Sequence, residues 1–306
     1  MEAEARTRAH SLCMPNGMNI KHMGSDEEIM MVYNEHFEER QYVQNGIELR
    51  KGDTVVDVGA HVGLFSIYVA RAVGAAGRVL AVEPAPDTFA CCTQNTRPAV
   101  ATSGGKIEAG PIDVVNVACG DGSVDTLTLT VYNRATLMNT VAASGRQEQL
   151  MSAYLFSQLS AGNSKPIGGA VEQLLFMLGQ AILSIPIIGA PIVRFAVRTH
   201  VRNHVMNSKR EVPVKVVTLS SLFKEKGIRS IGLLKVDTEC ADLIVLQGIK
   251  QADWAMIRQV AMEVHEERFK EPVLAILQQA GFNNIKVESS EVTLGHGVYN
   301  LWATRG

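Results

Sequence analysis

The chain has 306 residues, 46% of them hydrophobic and 20% charged, which allows one large domain or two small ones around a sizeable core. A formal net charge of -2 leaves no electrostatic footprint for nucleic acid or an anionic membrane as partner. The five cysteines are odd in number and lack metal-ligand spacing, and no secretory signal opens the sequence, so a reducing, cytosolic setting is expected.

Residues 1–24 show no periodicity and are expected to form a partly mobile arm. Ser25-Asp26-Glu27-Glu28 has the form of a capping box, with Ser25 accepting the Glu28 amide and the Glu28 side chain reaching back. Ile29, Val32, Tyr33, His36 and Phe37 follow at helical spacing, an apolar stripe that would cover the neighbouring cleft. Turns at Asn45-Gly46 and Lys51-Gly52-Asp53 lead into Thr54-Val55-Val56, a β-branched run suited to a strand buried on both faces. Gly59 and Gly63 punctuate the next residues, and Leu64, Phe65, Ile67, Tyr68 and Ala70 continue at helical spacing. Strand, glycine turn and helix make the first unit of a doubly wound sheet, whose turn can bring backbone close to a ligand.

The acids indicate which ligand. Asp57 gives D-x-G-x-x-x-G in place of the G-x-G-x-x-G of dinucleotide sites. A carboxylate there repels a pyrophosphate and suits a cationic amino-acid tail. A second apolar run, Val79 to Val82, ends in Glu83, where a carboxylate can accept both hydroxyls of a ribose. The pair favours S-adenosylmethionine over NAD; the plainer alternative is a nucleotide-type unit with incidental acids.

Pro84 and Pro86 break that strand, and residues 87–96 read as a helix on which Cys91 and Cys92 serve packing. A third strand is expected within 106–119, followed by Cys119-Gly120-Asp121-Gly122 at the carboxyl edge of the sheet, where adenine rests in such folds. Leu127, Leu129 and Val131 alternate with threonines as a peripheral strand. Residues 145–210 interrupt the rhythm. Gln173 to Val193 has no charged residue and approaches membrane-span length, but Gln180, Ser184, Pro186 and Pro191 interrupt it. Two helices joined at Pro186–Pro191 are expected, as a lid or substrate-channel lining, with a purely structural insertion as the alternative. The sheet resumes at Ile231 to Val236, and a helix carrying Leu243, Ile244 and Leu246 ends at Gly248. Gln259 to Val264 forms the fifth strand, Pro272 suits the first turn of a helix stopping at Gly281, and 284–288 and 298–304 form a terminal hairpin. Four segments result: a cap over 1–50, a cofactor-binding half over 51–144, an apolar helical insertion over 145–210 and a catalytic half over 211–306.

In an open α/β sheet the ligand sits beyond the carboxyl ends of the strands, where Asp57, Glu83, Asp237, Glu239 and His265 all fall. Methylating a hydroxyl requires in-line approach to the methyl group and a base for the departing proton. His265 has the resting pKa for that base, and Glu263, on the same strand face, or Glu239 would fix its tautomer. The bland alternative leaves His265 as a strand end in solvent. Asp237 and Glu239 suit Mg²⁺ by chemistry, but no third ligand is evident, so no metal site is assigned. Lys235 in a buried apolar strand calls for a carboxylate partner. His36, His61 and His296 are assigned no catalytic role.

The segments DVGAHVGLF, LLKVDTECADLIVLQGI and VYNLWATR resemble the FkbM-type S-adenosylmethionine-dependent methyltransferases. YNEHFEERQYVQNGIELRKGDTVVDVGAHVGLF and DWAMIRQVAMEVHEE are similar to O-methyltransferase domains embedded in polyketide and nonribosomal peptide synthases. The resemblance covers about residues 14–144 and 211–305. It implies a Rossmann-like class I fold, a seven-stranded, mostly parallel sheet of order 3-2-1-4-5-7-6 with an N-terminal helical cap and a helical insertion. It also implies O-methylation of a hydroxyl on a polyketide-like chain carried by an acyl carrier protein. By the same likeness Asp57, Gly59, Gly63 and Glu83, with Ala60 and Pro84 beside them, hold the cofactor. Asp237, Glu239, Glu263 and His265 make the catalytic set. His61 stands where asparagine is common and Cys240 where glycine or lysine is common, and the insert at 167–206 is poorly matched. The alternatives are a methyltransferase for a free small molecule, sugar or lipid, an NAD dehydrogenase, and a cofactor-binding protein without catalysis.

Overall fold

The computed structural model describes residues 9–97, 109–132, 135–140, 189–289 and 297–305, with scattered positions between 148 and 185. A seven-stranded sheet forms the centre, in the order β11-β12-β10-β9-β3-β4-β5. Its strands are β3 (Thr54–Val58), β4 (Arg78–Val82), β5 (Ile112–Val115), β9 (Leu233–Val236), β10 (Gln259–Val264), β11 (Asn284–Ser289) and β12 (Tyr299–Thr304). The first five run parallel, and β12 is antiparallel to both β10 and β11. Numbered by the sheet strands alone, this is the expected 3-2-1-4-5-7-6 order. Such order follows from right-handed crossovers, with helices covering both faces of strands whose side chains are mostly apolar and buried.

Three helices of the first half are α1 (Asp26–Tyr33), α2 (Leu64–Val73) and α3 (Pro86–Asn95). The second half adds α4 (Gly189–His200), α5 (Leu219–Glu225), α6 (Asp242–Gln247) and α7 (Glu267–Gln279). Val56, Leu80, Leu234, Val260 and Met262 meet Leu219, Leu222, Val245, Val273 and Leu277 in the main core. On the other face Val55, Val79, Leu233 and Ala261 meet Phe65, Val69 and Val73 of α2, with Trp302 completing the layer.

The N-terminal region is more ordered than its sequence suggests. Strands β1 (His10–Cys13) and β2 (Asn19–His22) form a hairpin, so the described part of residues 1–24 is not a mobile arm. The missing signal is length: four-residue strands carry too few positions to register a period. What anchors the hairpin is burial of Met14, Met18 and Ile20 with Ile29 and Val32 against Val62, Leu64 and Ile67. Ser25 caps α1 by accepting the Glu28 amide at 3.2 Å. A single π-helical turn, Asn34–Glu38, extends α1 and carries His36 toward Phe65.

After β5 the chain leaves the main sheet. β6 (Ala118–Cys119) pairs in parallel with β8 (Lys209–Val217), which pairs antiparallel with β7 (Thr126–Tyr132). Tyr132 and Lys209 are register partners, so the whole insertion emerges from one end of this ribbon. The expected junction at Pro186 lies outside the described residues, as does His296. Within the insertion α4 buries Val193 and Val197 with Val201 against Phe156, Ile182 and Leu183. No helix among the described residues is long and apolar enough to cross a membrane. Pro272 lies inside α7, not in its first turn. It is tolerated because it is exposed, so the carbonyl deprived of its partner faces water.

Candidate active site

The carboxyl ends of β3 and β9 meet at a buried ion cluster. Asp57 and Lys235 are register partners on adjacent strands, and Lys235 is 1% exposed. Its Nζ lies 3.2 Å from Asp57 Oδ1 and 3.3 Å from Asp237 Oδ2, and donates to the Gly59 carbonyl at 2.8 Å. Burial by itself would lower the Lys235 ammonium; the two carboxylates outweigh it and hold the pKa above its usual value. The rings of Tyr42 and Phe65 stand within 5.2 and 5.8 Å of the same nitrogen.

This arrangement alters the role expected of Asp57. Its carboxylate is fully buried, with Oδ2 accepting the Ser66 hydroxyl at 2.6 Å and Oδ1 facing Lys235. It is therefore not a free charge for a ligand; it holds the cation that ties β3 to β9. Gly59 needs its missing side chain for the same junction. It has φ of 82°, and a Cβ there would overlap the Asp237 carbonyl oxygen. Gly59 and Ala60 both donate to the Val82 carbonyl at 3.0 Å, and Gly63 donates to Ala60 at 2.8 Å before starting α2. The turn is thus locked to the end of β4.

Glu83 follows β4 and is 6% exposed. Its two oxygens accept the amides of His61 and Ala85, each at 2.9 Å, leaving further lone pairs for a diol. Burial pushes its carboxyl up to about 7 against those hydrogen bonds. Pro84 is half-buried beside it, its carbonyl accepting from Asn116 at 2.9 Å. Asp121 does not join them. Because the chain turns out of the sheet after Val115, its turn lies in the small ribbon, exposed, with Oδ1 accepting the Ser123 amide. The neighbouring Gly120 carbonyl abuts Gly248, at the opposite end of α6 from Asp242. The expectation of an adenine contact from Asp121 is corrected accordingly.

Across the cleft, His265 is 3% exposed at the end of β10. Nδ1 lies 2.9 Å from Asp242 Oδ2, which also accepts the His265 amide at 3.1 Å. The other Asp242 oxygen takes the Thr238 hydroxyl at 2.9 Å. Asp242, fully buried at the start of α6, therefore orients the ring, a task expected of Glu263 or Glu239. Nε2 faces Glu263 at 3.4 Å, Glu239 at 3.6 Å and Asp237 at 3.7 Å. Burial opposes charge on His265, but Asp242 and Glu239 outweigh it and raise the imidazole well above its usual pKa. Burial pushes Glu239 up to about 8 and Glu263 up to about 7. Glu35, from the π-turn, is raised well above the carboxylate range by burial and by Glu263 and Asp237. The cluster holds protons in common near neutral pH.

Asp237, Glu263 and His265 lie close enough to offer one ligand atom each within 4.8 Å. Glu239 is not a member of that group, so the carboxylate that joins Asp237 in it is Glu263 and not the Glu239 considered in sequence. Tyr42 donates to Asp237 at 3.0 Å, and Gln41 donates to both Glu263 and Asn300, so the cap segment crosses this half of the site. Thr140 donates to the Glu239 carbonyl at 2.8 Å, bringing the segment that leads into the insertion over the same cluster. Gln41, Tyr42 and Asp242 escaped sequence reasoning because their partners are distant in the chain; for Asp242 the one local signal was its place at the start of α6.

Around the first turn, His36 Nδ1 and His61 Nδ1 are buried without a hydrogen bond. Polar atoms left so at a glycine turn beside a diol acceptor fit an adenosyl ligand with a polar tail. A doubly wound sheet of this order, with its acids at the strand ends, defines a Rossmann-like methyltransferase.

The family model described as the methyltransferase FkbM domain matches residues 57–283. The chain is 32% identical over 299 residues to the 31-O-demethyl-FK506 methyltransferase FkbM of Streptomyces tacrolimicus, covering 96% of each. It belongs to the FkbM methyltransferase family. It is also 26% identical over 303 residues to the AMB antimetabolite synthetase AmbE of Pseudomonas aeruginosa, covering 95% of this chain and 12% of that one. Among solved structures, a methyltransferase FkbM from Methylobacillus flagellatus KT aligns with a TM-score of 0.42 and 12% identity over 92% of this chain and 56% of that one.

The Lys235 bridge has a direct consequence for stability. Lys235→Met leaves Asp57 buried without a counter-ion and is expected to lower the unfolding free energy by about 3–5 kcal/mol in urea denaturation. Adding Asp57→Asn should recover much of that loss; an unchanged midpoint in the single variant would contradict the bridge.

Proposed function

We propose that the protein is an S-adenosylmethionine-dependent O-methyltransferase acting on a hydroxyl of a polyketide-like acyl chain carried on an acyl carrier protein. The observation that carries this reading is His265, with Nδ1 held by Asp242 and Nε2 turned toward Asp237, Glu239 and Glu263 at the ligand edge of the sheet. Glu83 would take the ribose hydroxyls, while Gly59, Ala60 and Gly63 give the backbone room for the amino-acid tail. When bound, the cofactor supplies a methyl group on a sulfonium. The site would hold an acceptor hydroxyl facing that methyl group, and His265 Nε2 would take the hydroxyl proton. Asp242 and the surrounding carboxylates would stabilise the imidazolium so formed.

A second reading, a free compound as acceptor, is favoured by the relative that spans 96% of both chains, whose acceptor is named as a compound, 31-O-demethyl-FK506. The synthetase match supports the carrier-bound reading. We take the reaction to occur in a reducing cytoplasm, with which five free cysteines agree.

The acceptor is tested by mass spectrometry of a carrier-bound β-hydroxyacyl chain and of its free counterpart, each incubated with protein and methyl donor. A mass gain of one methyl group on the carrier-bound chain alone is expected. Gain on the free compound alone would select the second reading, and gain on neither would contradict the acceptor class. His265→Ala should retain cofactor binding and lose about 10²–10⁴-fold in turnover; unchanged turnover would remove His265 from the mechanism.

The pH dependence has a definite sign. Proton acceptance requires the cluster to have released protons that Glu263 holds up to about 7 and Glu239 up to about 8, and the carboxylates around His265 raise its imidazole as well. kcat/KM should therefore rise from pH 6 to beyond pH 8, roughly tenfold or more. A flat profile, or one falling above neutrality, would contradict this assignment.

A further inference from the structure

Asp57 is neutralised inside the protein, so some other group must receive the ammonium of the donor's amino-acid tail. We propose that His61 Nδ1 is that acceptor, held in the required tautomer by a relay through Thr136 to Glu28 of the cap. The inference rests on the methyl-donor reading above and deepens it.

His61 lies between the two glycines of the turn with φ of 51°, and its amide donates to Glu83, so its backbone already touches the ribose acid. Its Nε2 is 2.8 Å from Thr136 Oγ1, which is in turn 2.6 Å from Glu28 Oε1. The Leu137 amide also donates to that Glu28 oxygen, at 2.7 Å. Burial raises the Glu28 carboxyl, but the hydrogen bonds it accepts from Thr136 and Leu137 favour its ionised form, which only accepts. The Thr136 proton therefore points to Glu28, the threonine oxygen becomes an acceptor, and the imidazole proton must sit on Nε2. Burial keeps the ring neutral, its pKa lowered to about 4, so a single proton is shared between its two nitrogens.

Nδ1 is thereby left as a bare lone pair, and it is buried without a partner. A buried acceptor in that state calls for a donor from a ligand. The ring also feels the charge of Asp237, the strongest favourable influence on its cationic form, which suits a positively charged donor. A primary ammonium meets both demands. Glu28 and Thr136 act as positioning residues, and they tie the cap to the occupied turn.

Calorimetric titration with S-adenosylhomocysteine and with 5′-methylthioadenosine, which lacks the amino-acid tail, separates this role from a structural one. His61→Ala should weaken S-adenosylhomocysteine about tenfold or more, with 5′-methylthioadenosine changed by less than about twofold. His61→Asn, which offers an amide oxygen, should lie within about threefold of wild type for both ligands. Thr136→Val frees the ring and should weaken only the tailed ligand, by roughly threefold or more. Equal losses for both ligands in His61→Ala, or no loss at all, would overturn the proposal. If His61→Ala does not fold, Thr136→Val decides: a selective loss upholds the relay, and no selectivity overturns it. A wild-type chain that binds neither nucleoside would overturn the methyl-donor reading itself, an outcome distinct from any difference among variants.

Discussion

A single buried ammonium organises this site. Lys235 sits on a strand whose other residues, Leu233, Leu234 and Val236, are apolar and buried, and it holds Asp57 on one side and Asp237 on the other. A charge in that position is stable only if its partners are close and its hydrogen bonds are filled. The Gly59 carbonyl and the faces of Tyr42 and Phe65 complete that requirement. The first glycine turn, the end of β9 and the cap segment are therefore bound to one cation. A shift in any of them would leave charge uncompensated.

The cation is consumed internally, so the cleft presents carboxylates to a ligand. Glu83 stands on one side, and Asp237, Glu239 and Glu263 surround His265 on the other. Their mutual proximity and burial keep protons in the cluster near neutral pH, which limits the desolvation cost of so many acids. Such a surface repels the phosphates of a dinucleotide and accepts a sulfonium or an ammonium. The site is thus divided in two: Glu83 and the glycine turn on β3 and β4, the His265 cluster on β9 and β10.

The cap and the segment that leads into the insertion both reach this centre, and through specific contacts. Tyr42 and Gln41 touch Asp237 and Glu263, while Glu28 meets Thr136 in the segment that leads into the insertion. Thr140 binds the carbonyl of Glu239, whose φ of 41° lies in the left-handed region. A residue held in that conformation persists because its surroundings determine it. Elements that flank the fold thereby fix the geometry of the turn that follows β9.

What the sequence made legible was local. The D-x-G-x-x-x-G turn, Glu83 after its apolar run and the Glu263/His265 alternation each depend on residues a few positions apart, where strand and helix periods speak directly. Lys235 was flagged by its burial context, and its partner proved to be the register neighbour Asp57. Asp242 was silent because its function needs the end of β10 to arrive beside α6. Asp121 was misplaced because nothing local reveals that the chain leaves the sheet after Val115. The hairpin of β1 and β2 is held by methionines against α2, a tertiary interaction with no periodic trace.

The central claim is that a cleft whose buried lysine, Lys235, is internally neutralised selects an adenosyl amino acid over a dinucleotide. Equilibrium titration of the wild-type chain with S-adenosylhomocysteine and, separately, with NADH tests this most directly. The account predicts saturable binding of S-adenosylhomocysteine at one per chain and none of NADH. Saturable NADH binding with no response to S-adenosylhomocysteine would contradict it.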